Sequence, residues 1–328
     1  MIRSAVVTAA VIAAAAGVTA VVVTAFSSPP AVPPSPSRSP SHSASPVVKP
    51  FPHVNRPCRG KIPEPFAGIA TNGNLTANAA SFRRATGAHV RVIEFYARFP
   101  GSFQSAEARQ VVDLGGLPLI QLNPRDVSPA ELSSGVYDSD IRSYAEQVRA
   151  FGCYVILSFG HEMNGWWYPW GLPRTTPAEF KAAWRHIHDI FAAERVRNVI
   201  WSWDPTHQHT RYRQGETAHP AGEWYPGNKY VDWIGFDGYI GGGQSFNDVF
   251  GYQLRDIRRI TSKPIYLAET GVGDGIHEVR QVASLFAGVR RWRLIGLVWF
   301  DLDRKNSWSL EGKPVKDAAV RRAVARFP

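Results

Sequence analysis

Apolar residues recur along the chain in short runs of β-forming side chains, and most of these runs are separated by segments with helical spacing. Eight such runs follow one another from residue 66 onward. They are Phe66–Ala70, Val90–Tyr96, Leu117–Leu122, Tyr154–Phe159, Val199–Trp203, Trp233–Phe236, Ile265–Ala268 and Leu297–Phe300. Near-continuous apolar runs are typical of parallel strands that helices cover on one side. We therefore predict eight buried parallel strands.

Helical patterns occupy most of the intervals between these runs. The clearest begins at Thr176, which can cap a helix, with Pro177 at the first helical position and Glu179 three residues after the cap. A second apolar stripe at helical spacing covers residues 279–289. Residues 207–230 show no clear period, so we predict one long loop there.

Eight β/α units within about 270 residues predict an α/β fold, a (β/α)8 TIM barrel that forms a single catalytic domain. The alternative is an open, doubly wound sheet, which would usually carry a glycine-rich phosphate-binding turn after its first strand. Here Phe66–Ala70 continues as Thr71-Asn72-Gly73-Asn74, which is not such a turn. The barrel is therefore the better interpretation.

Polar and aromatic residues stand at the carboxyl ends of nearly all the predicted strands. In a (β/α)8 barrel these ends meet at one mouth, where active sites form. Glu162 follows the fourth run and Glu269 follows the seventh. The other ends carry Tyr96, Asn123, Asp204, Asp237, Tyr239 and Trp299. Two carboxylates that face one bond, with tryptophans around them, are typical of glycosidases, so we predict Glu162 and Glu269 as the catalytic pair.

The densest group of such residues is the stretch 160–171, with the sequence GHEMNGWWYPWG. Flat aromatic rings displayed together suit the apolar faces of sugars, and Glu162 can transfer protons. The pair His161-Glu162 also begins a zinc protease motif, but that motif needs a second His four residues after the first, and position 165 is Gly. We therefore exclude this zinc motif and predict neither a metal nor a cofactor.

The net charge of +10 is unevenly distributed along the chain. Residues 1–57 contain four basic residues and no acidic one, which leaves 33 basic against 27 acidic residues in the remainder. No dense block of Lys and Arg is interleaved with aromatic residues. A nucleic-acid partner is therefore not expected.

The first 26 residues predict export. Met1-Ile2-Arg3 is a positive end, and residues 5–26 are an uninterrupted Ala- and Val-rich run. Such a run is long for a cleaved signal peptide and just long enough to span a bilayer, which takes about 20 residues. Two alternatives stay open, a signal peptide or an N-terminal membrane anchor. Both make the protein extracellular, either secreted or anchored to the outer face of the cell membrane.

Residues 27–57 are rich in Pro and Ser and predict a disordered linker, so the catalytic domain should cover residues 58–328. Cys58 and Cys153 are the only cysteines in the chain. In an oxidising compartment they are candidates for a disulfide, which would pin the start of the domain to the floor of the barrel beneath the fourth strand. Two buried thiols are the alternative.

Three segments together resemble a known family. The stretch 160–171 resembles the acid/base motif of glycoside hydrolase family 26, the β-mannanase family; residues 224–239 resemble its sixth-strand signature and residues 264–271 its nucleophile strand. The family is a retaining (β/α)8 clan, so the resemblance implies that Glu162 is the acid/base and Glu269 the nucleophile. It further implies a polysaccharide substrate. As substrate-binding residues we predict His161, Trp167, Tyr239, Trp299 and Asp237.

The resemblance indicates the reaction mechanism more closely than it indicates which sugar the substrate contains. Family mannanases tend to carry His or Trp after strand three, where this chain has Asn123-Pro124-Arg125-Asp126. We expect an exported, monomeric, retaining endo-β-glycanase that cuts β-1,4-mannan. The alternatives are a β-1,3-1,4-glucanase, a β-1,3-xylanase, an enzyme that remodels the cell's own glycan, or a catalytically silent sugar-binding module.

Overall fold

The structure of the protein is a computed structural model that describes Cys58 and residues 62–207, 220–302 and 308–327. These residues belong to one compact unit, residues 50–328. The predicted signal or anchor and the predicted linker lie outside the described residues. Among the residues that are described, no helix is both long and apolar enough to cross a membrane.

Eight parallel strands form a closed barrel in chain order. They are β1 (Phe66–Ala70), β2 (Val90–Phe99), β3 (Leu117–Pro124), β4 (Val155–Phe159), β5 (Val199–Trp203), β6 (Trp233–Ile240), β7 (Ile265–Val272) and β8 (Gly296–Phe300). This confirms the predicted (β/α)8 barrel. Four strands, β2, β3, β6 and β7, extend past their predicted ends, because each extension contains a polar residue that interrupts the apolar run.

Helices surround the barrel, between and after the strands. They are α1 (Leu75–Thr86), α2 (Ser105–Asp113), α3 (Pro129–Ser133), α4 (Asp138–Phe151), α5 (Pro177–Ala193), α6 (Phe246–Ile260), α7 (Glu278–Arg291) and α8 (Pro314–Val324). Helix α5 begins where predicted, with the reciprocal hydrogen bonds of a capping box between Thr176 and Glu179. The predicted long loop lies partly outside the described residues and includes a short 3₁₀ helix, Ala221–Trp224.

Two apolar layers hold the barrel together, one between the strands and the helices and one inside the barrel. Because side chains alternate along a strand, Val92, Glu94 and Tyr96 of β2 all point to the barrel interior. Val92 packs in the interior layer, Glu94 is buried above it, and Tyr96 is half-buried at the mouth. The interior therefore changes from apolar at the floor to polar at the carboxyl ends of the strands.

Cys58 and Cys153 form a disulfide bond. Cys153 is buried and lies two residues before β4 begins, at the end of the barrel opposite the mouth. The fourth strand was predicted to begin at Tyr154, and it begins one residue later, at Val155. The bond ties the first described residue to the barrel floor, far from the candidate site.

Candidate active site

A tight turn after β4 presents Glu162 to the barrel mouth. Gly160 and Glu162 both have left-handed backbone conformations, with φ of 58° and 53°. This conformation is uncommon for a residue with a side chain, and such strain collects at functional sites. The turn is held by residues that follow β5: the Glu162 amide donates to the Asp204 carbonyl at 2.7 Å. The Asn164 side chain exchanges two hydrogen bonds with the backbone of Thr206, at 3.0 and 2.9 Å.

The Glu162 carboxyl is half-buried and accepts a hydrogen bond from the indole nitrogen of Trp167, with 2.5 Å between Nε1 and Oε2. Burial, and secondly the charge of Glu269, raise the pKa of Glu162 to about 8. The Trp167 hydrogen bond acts in the opposite direction, because it stabilises the ionised form. Glu162 therefore holds a proton near neutral pH.

Glu269 lies on β7 and is buried, and each of its carboxylate oxygens accepts a tyrosine hydroxyl. Tyr96 donates to Oε1 and Tyr239 donates to Oε2, both at 2.6 Å. Hydrogen bonds to an ionised carboxylate favour its charged form. Glu269 is thus held from two sides in a fixed orientation.

His161 lies beside Glu269, with its Nε2 atom 3.8 Å from Oε1. Its Nδ1 atom is 3.0 Å from the Asn123 side-chain oxygen, which can only accept, so Nδ1 carries the proton. Nε2 is 3.1 Å from the Tyr168 hydroxyl. The Trp170 indole donates to the His161 carbonyl at 2.7 Å. The aromatic motif after β4 thus fixes the position of the histidine.

Asp237 is fully buried and pairs with Glu269 in the register between β6 and β7. Neither oxygen of its carboxyl group has a hydrogen-bond partner among the described residues. Burial, and then the charge of Glu269, raise its pKa well above the usual value, which favours the neutral carboxyl group. Single donor atoms of His161, Asp237 and Glu269 lie within 4.8 Å of one another. A cation bound by these three residues would have Glu269 as a ligand. The group is therefore not a metal site separate from the candidate catalytic carboxylates.

A layer of buried polar groups supports the site from below. The Asp204 carboxyl accepts hydrogen bonds from the Gln121 side chain at 3.0 Å, from the Gly235 amide at 3.1 Å, and from the Ser202 hydroxyl. Glu94 is buried beneath Tyr96, and burial is the main cause that raises its pKa. The sequence placed Asp204 at a strand end without a role; its backbone and side chain both brace the mouth.

Both glutamates line one open cavity of about 1160 Å³ at the barrel mouth. Its aromatic wall consists of Phe95, Tyr96, Trp167, Tyr168, Tyr239, Phe300 and Trp308. Its polar wall includes Asn72, Gln104, Glu107, Asn123 and Arg125. A cavity of this size with stacked rings and convergent polar groups is suited to a carbohydrate.

Of the residues predicted from the sequence to bind substrate, Trp167 and Tyr239 line the cavity beside the glutamates. His161 and Asp237 are buried behind them and face Glu269, so sugar contact by these two stays a prediction. The structure corrects the prediction that Trp299 binds substrate. It is fully buried and belongs to the layer between strands and helices, because alternation along β8 turns its side chain away from the barrel interior.

Trp308 provides the aromatic surface that the sequence analysis assigned to Trp299. Its ring stacks on Tyr239, with 4.7 Å between the ring centroids, and its carbonyl accepts the Trp299 indole N–H at 3.0 Å. Trp308 was not predicted from the sequence, because it lies eight residues beyond the end of β8. Tyr96 was also left without a role, although its position at the end of the second apolar run was a usable signal.

The family model described as glycosyl hydrolase family 26 matches residues 135–309, just over half of the chain. Endoglucanase H of Acetivibrio thermocellus is 28% identical over 261 residues, which cover 74% of this chain and 28% of that protein. The mannan endo-1,4-beta-mannosidase A and B of Caldalkalibacillus mannanilyticus is 29% identical over 133 residues, 38% of this chain and 23% of that protein. The chain therefore spans about a quarter of the length of these relatives.

Solved structures have the same fold. The catalytic domain of an endo-beta-1,4-mannanase from Bacillus sp. JAMB-750 superposes with a TM-score of 0.62 at 17% identity, over 80% of this chain and 86% of that one. At this level of identity the match supports the barrel fold alone.

Proposed function

Because this chain belongs to glycosyl hydrolase family 26, we propose that it is an exported, retaining endo-β-glycanase that hydrolyses β-1,4-mannan by double displacement. One observation carries the proposal: a carboxyl group that keeps its proton and a carboxylate held by two hydroxyl donors share one cavity. An acid and a nucleophile with opposite protonation states are what double displacement needs.

In the first step, an ionised Glu269 oxygen attacks the anomeric carbon and the glycosidic C–O bond breaks. Glu162 gives its proton to the departing oxygen, so the leaving sugar departs as a neutral alcohol. Burial and the negative charge of Glu269 keep this proton on Glu162 until it is needed. A covalent glycosyl ester on Glu269 and an ionised Glu162 result.

In the second step, Glu162 takes a proton from water as the water oxygen attacks the anomeric carbon, and the ester bond breaks to restore the Glu269 carboxylate. Esterification removes the negative charge next to Glu162. Because that charge is one of the causes that raise its pKa, Glu162 becomes more acidic in the intermediate and can act as a base. The Trp167 indole, which donates to Glu162, stabilises the ionised form at this stage.

The substrate proposal rests on the mannan-cleaving relative and on the cavity, which aromatic side chains line together with the two glutamates. Trp167 and Trp308 are the proposed platforms for sugar rings. A second candidate is a mixed-linkage β-glucan, because the match to Endoglucanase H covers 74% of this chain against 38% for the mannosidase. A panel of mannan, β-1,3-1,4-glucan and β-1,3-xylan, with analysis of product lengths, tests both candidates and separates endo from exo action.

Two variants test the mechanism. Glu269→Ala should lose activity on every substrate and regain turnover with azide, which should yield a glycosyl azide of inverted configuration. Glu162→Ala should still react with a substrate that has a good leaving group, and its glycosyl-enzyme intermediate should accumulate because no base remains. NMR that shows an inverted first product from the wild-type enzyme would rule out double displacement.

We also propose that the protein is exported. The disulfide between Cys58 and Cys153 supports this proposal, since such bonds persist mainly in oxidising compartments. Protein sequencing of the N-terminus separates the two alternatives for residues 1–26: a soluble form in the medium that begins near residue 27 indicates cleavage. A full-length form that detergent alone releases from membranes indicates an anchor.

A further inference from the structure

We propose that Tyr96 is a second positioning residue for the nucleophile, which holds one carboxylate oxygen of Glu269 while Tyr239 holds the other. This inference rests on the proposed function, because it assigns a role within the same reaction. It extends that function to a residue on β2, on the far side of Glu269 from β6.

Tyr96 and Tyr239 donate to different oxygens of Glu269 and come from different parts of the barrel. The Tyr96 hydroxyl is 2.6 Å from Oε1 of Glu269, and the Tyr239 hydroxyl is 2.6 Å from Oε2. Strand β6 neighbours β7 in the barrel, whereas β2 lies on the other side of β1 and β8. The two hydroxyls therefore approach the carboxylate from different sides, and together they define its plane.

Tyr96 could instead be a sugar platform or a packing residue. Its ring does line the cavity, and it packs against His161 with 5.9 Å between ring centroids. However, its hydroxyl donates to the carboxylate, and a packing role does not require the oxygen. The hydroxyl also stays protonated, since burial and the charges of Glu269 and Glu94 all raise the pKa of Tyr96. It is therefore a permanent donor to Glu269.

Two donors have a consequence for both chemical steps. When one Glu269 oxygen forms a bond to the anomeric carbon, it becomes an ester oxygen and a weak acceptor, and the other oxygen keeps its tyrosine as the ester carbonyl. When the ester bond breaks, its electron pair returns to the carboxylate and both hydroxyls donate again. Loss of either hydroxyl leaves the carboxylate free to rotate out of the orientation for attack, so formation of the intermediate should slow. Hydrolysis should slow as well, because the departing carboxylate has lost a donor, while substrate binding should change little.

The first test compares Tyr96→Phe with wild type. A hydrogen bond to a charged group contributes about 1.5–3 kcal/mol, so kcat/KM should fall roughly 10- to 100-fold with KM little changed. The acidic limb of the kcat/KM profile should move to higher pH, because the ionised nucleophile has lost a donor. Unchanged kcat/KM and an unchanged acidic limb would overturn the proposal. Tyr225→Phe is the matched control, since its buried hydroxyl bonds to Asn228 and Thr261.

A double variant decides whether Tyr96 acts through Glu269. In the Glu269→Ala background with azide, the added Tyr96→Phe change should cost nothing, because the carboxylate that the hydroxyl holds is gone. A cost in azide-rescued turnover equal to the cost in wild type would mean that Tyr96 acts on the sugar, and would refute the inference.

Failure of this inference is distinguishable from failure of the proposed function. A wild type without activity on any β-glycan, or one with an inverted product, contradicts the proposed function. The inference about Tyr96 then still has a substrate-free readout: the ¹³C chemical shift of the labelled Glu269 carboxyl, followed against pH. Tyr96→Phe should move that titration to higher pH, and an identical titration in both proteins would overturn the assignment.

Discussion

The hydrogen bond from Trp167 to Glu162 predicts how the alkaline side of the activity profile can be moved. The indole nitrogen lies 2.5 Å from Oε2 and is one of the groups that lower the Glu162 pKa, against burial and the charge of Glu269. Trp167→Phe keeps an aromatic ring at the cavity wall and removes the donor. Without this bond the ionised form of Glu162 is less stable, so its pKa should rise above about 8.

The size of this shift follows from the strength of the bond. A hydrogen bond to a charged group contributes about 1.5–3 kcal/mol, and one pKa unit corresponds to about 1.36 kcal/mol. Because Trp167 and Glu162 are only half-buried, water can replace part of the lost bond, and the lower end of the range applies. The pKa of Glu162 should therefore rise by about 1 unit.

The assay is the pH dependence of kcat/KM, whose basic limb reports the acid of the free enzyme. In wild type this limb should lie near pH 8, and in Trp167→Phe about 1 unit higher, whatever happens to the maximum rate. A substrate with a very good leaving group should show no such limb, because it needs no proton. Trp166→Phe is the control: this neighbouring ring is 56% exposed at the rim and should leave the limb in place.

A basic limb that stays fixed or moves to lower pH in Trp167→Phe would refute the reasoning. The hydrogen bond would then contribute nothing to the ionised form. If the limb persists with the activated substrate, the titrating group is not the acid that protonates the leaving oxygen, and Glu162 loses that role.

Three further outcomes are expected. Replacement of Cys58 and Cys153 by Ser should lower the free energy of unfolding by about 2–5 kcal/mol in a urea titration, since the bond joins residues 95 apart, and activity at low temperature should be kept. The stability of Glu94→Gln relative to wild type should increase as the pH rises from about 5 to 8. A buried acid with a raised pKa contributes stability that is present at low pH and lost as the pH rises, and glutamine does not titrate. An equal stability difference at both pH values would contradict this. Trp308→Ala should reduce activity at nearly unchanged stability, whereas Trp299→Ala should cost about 3–5 kcal/mol of stability, and the reverse pattern would restore Trp299 as the sugar platform.

The sequence by itself determined the barrel and the placement of Glu162 and Glu269 at its mouth. Eight apolar runs predicted eight strands, because parallel strands between two apolar layers bury apolar side chains on both faces. Glu162 and Glu269 were found because a barrel brings all its strand ends to one mouth, so position along the chain is enough to predict proximity. The capped start of α5 was also predicted, since capping depends on neighbours in sequence.

Only the tertiary structure decided which side chains surround the glutamates. The alternation of side chains along β8 turns Trp299 away from the barrel interior and buries it, whereas Trp308 lines the cavity. Tyr96 and Glu269 are 173 residues apart, and no local sequence pattern predicts the hydrogen bond between their side chains. The pKa of Glu162 likewise depends on burial and on a charge from another strand. These are properties of distance in space, which local hydrophobic periodicity does not encode.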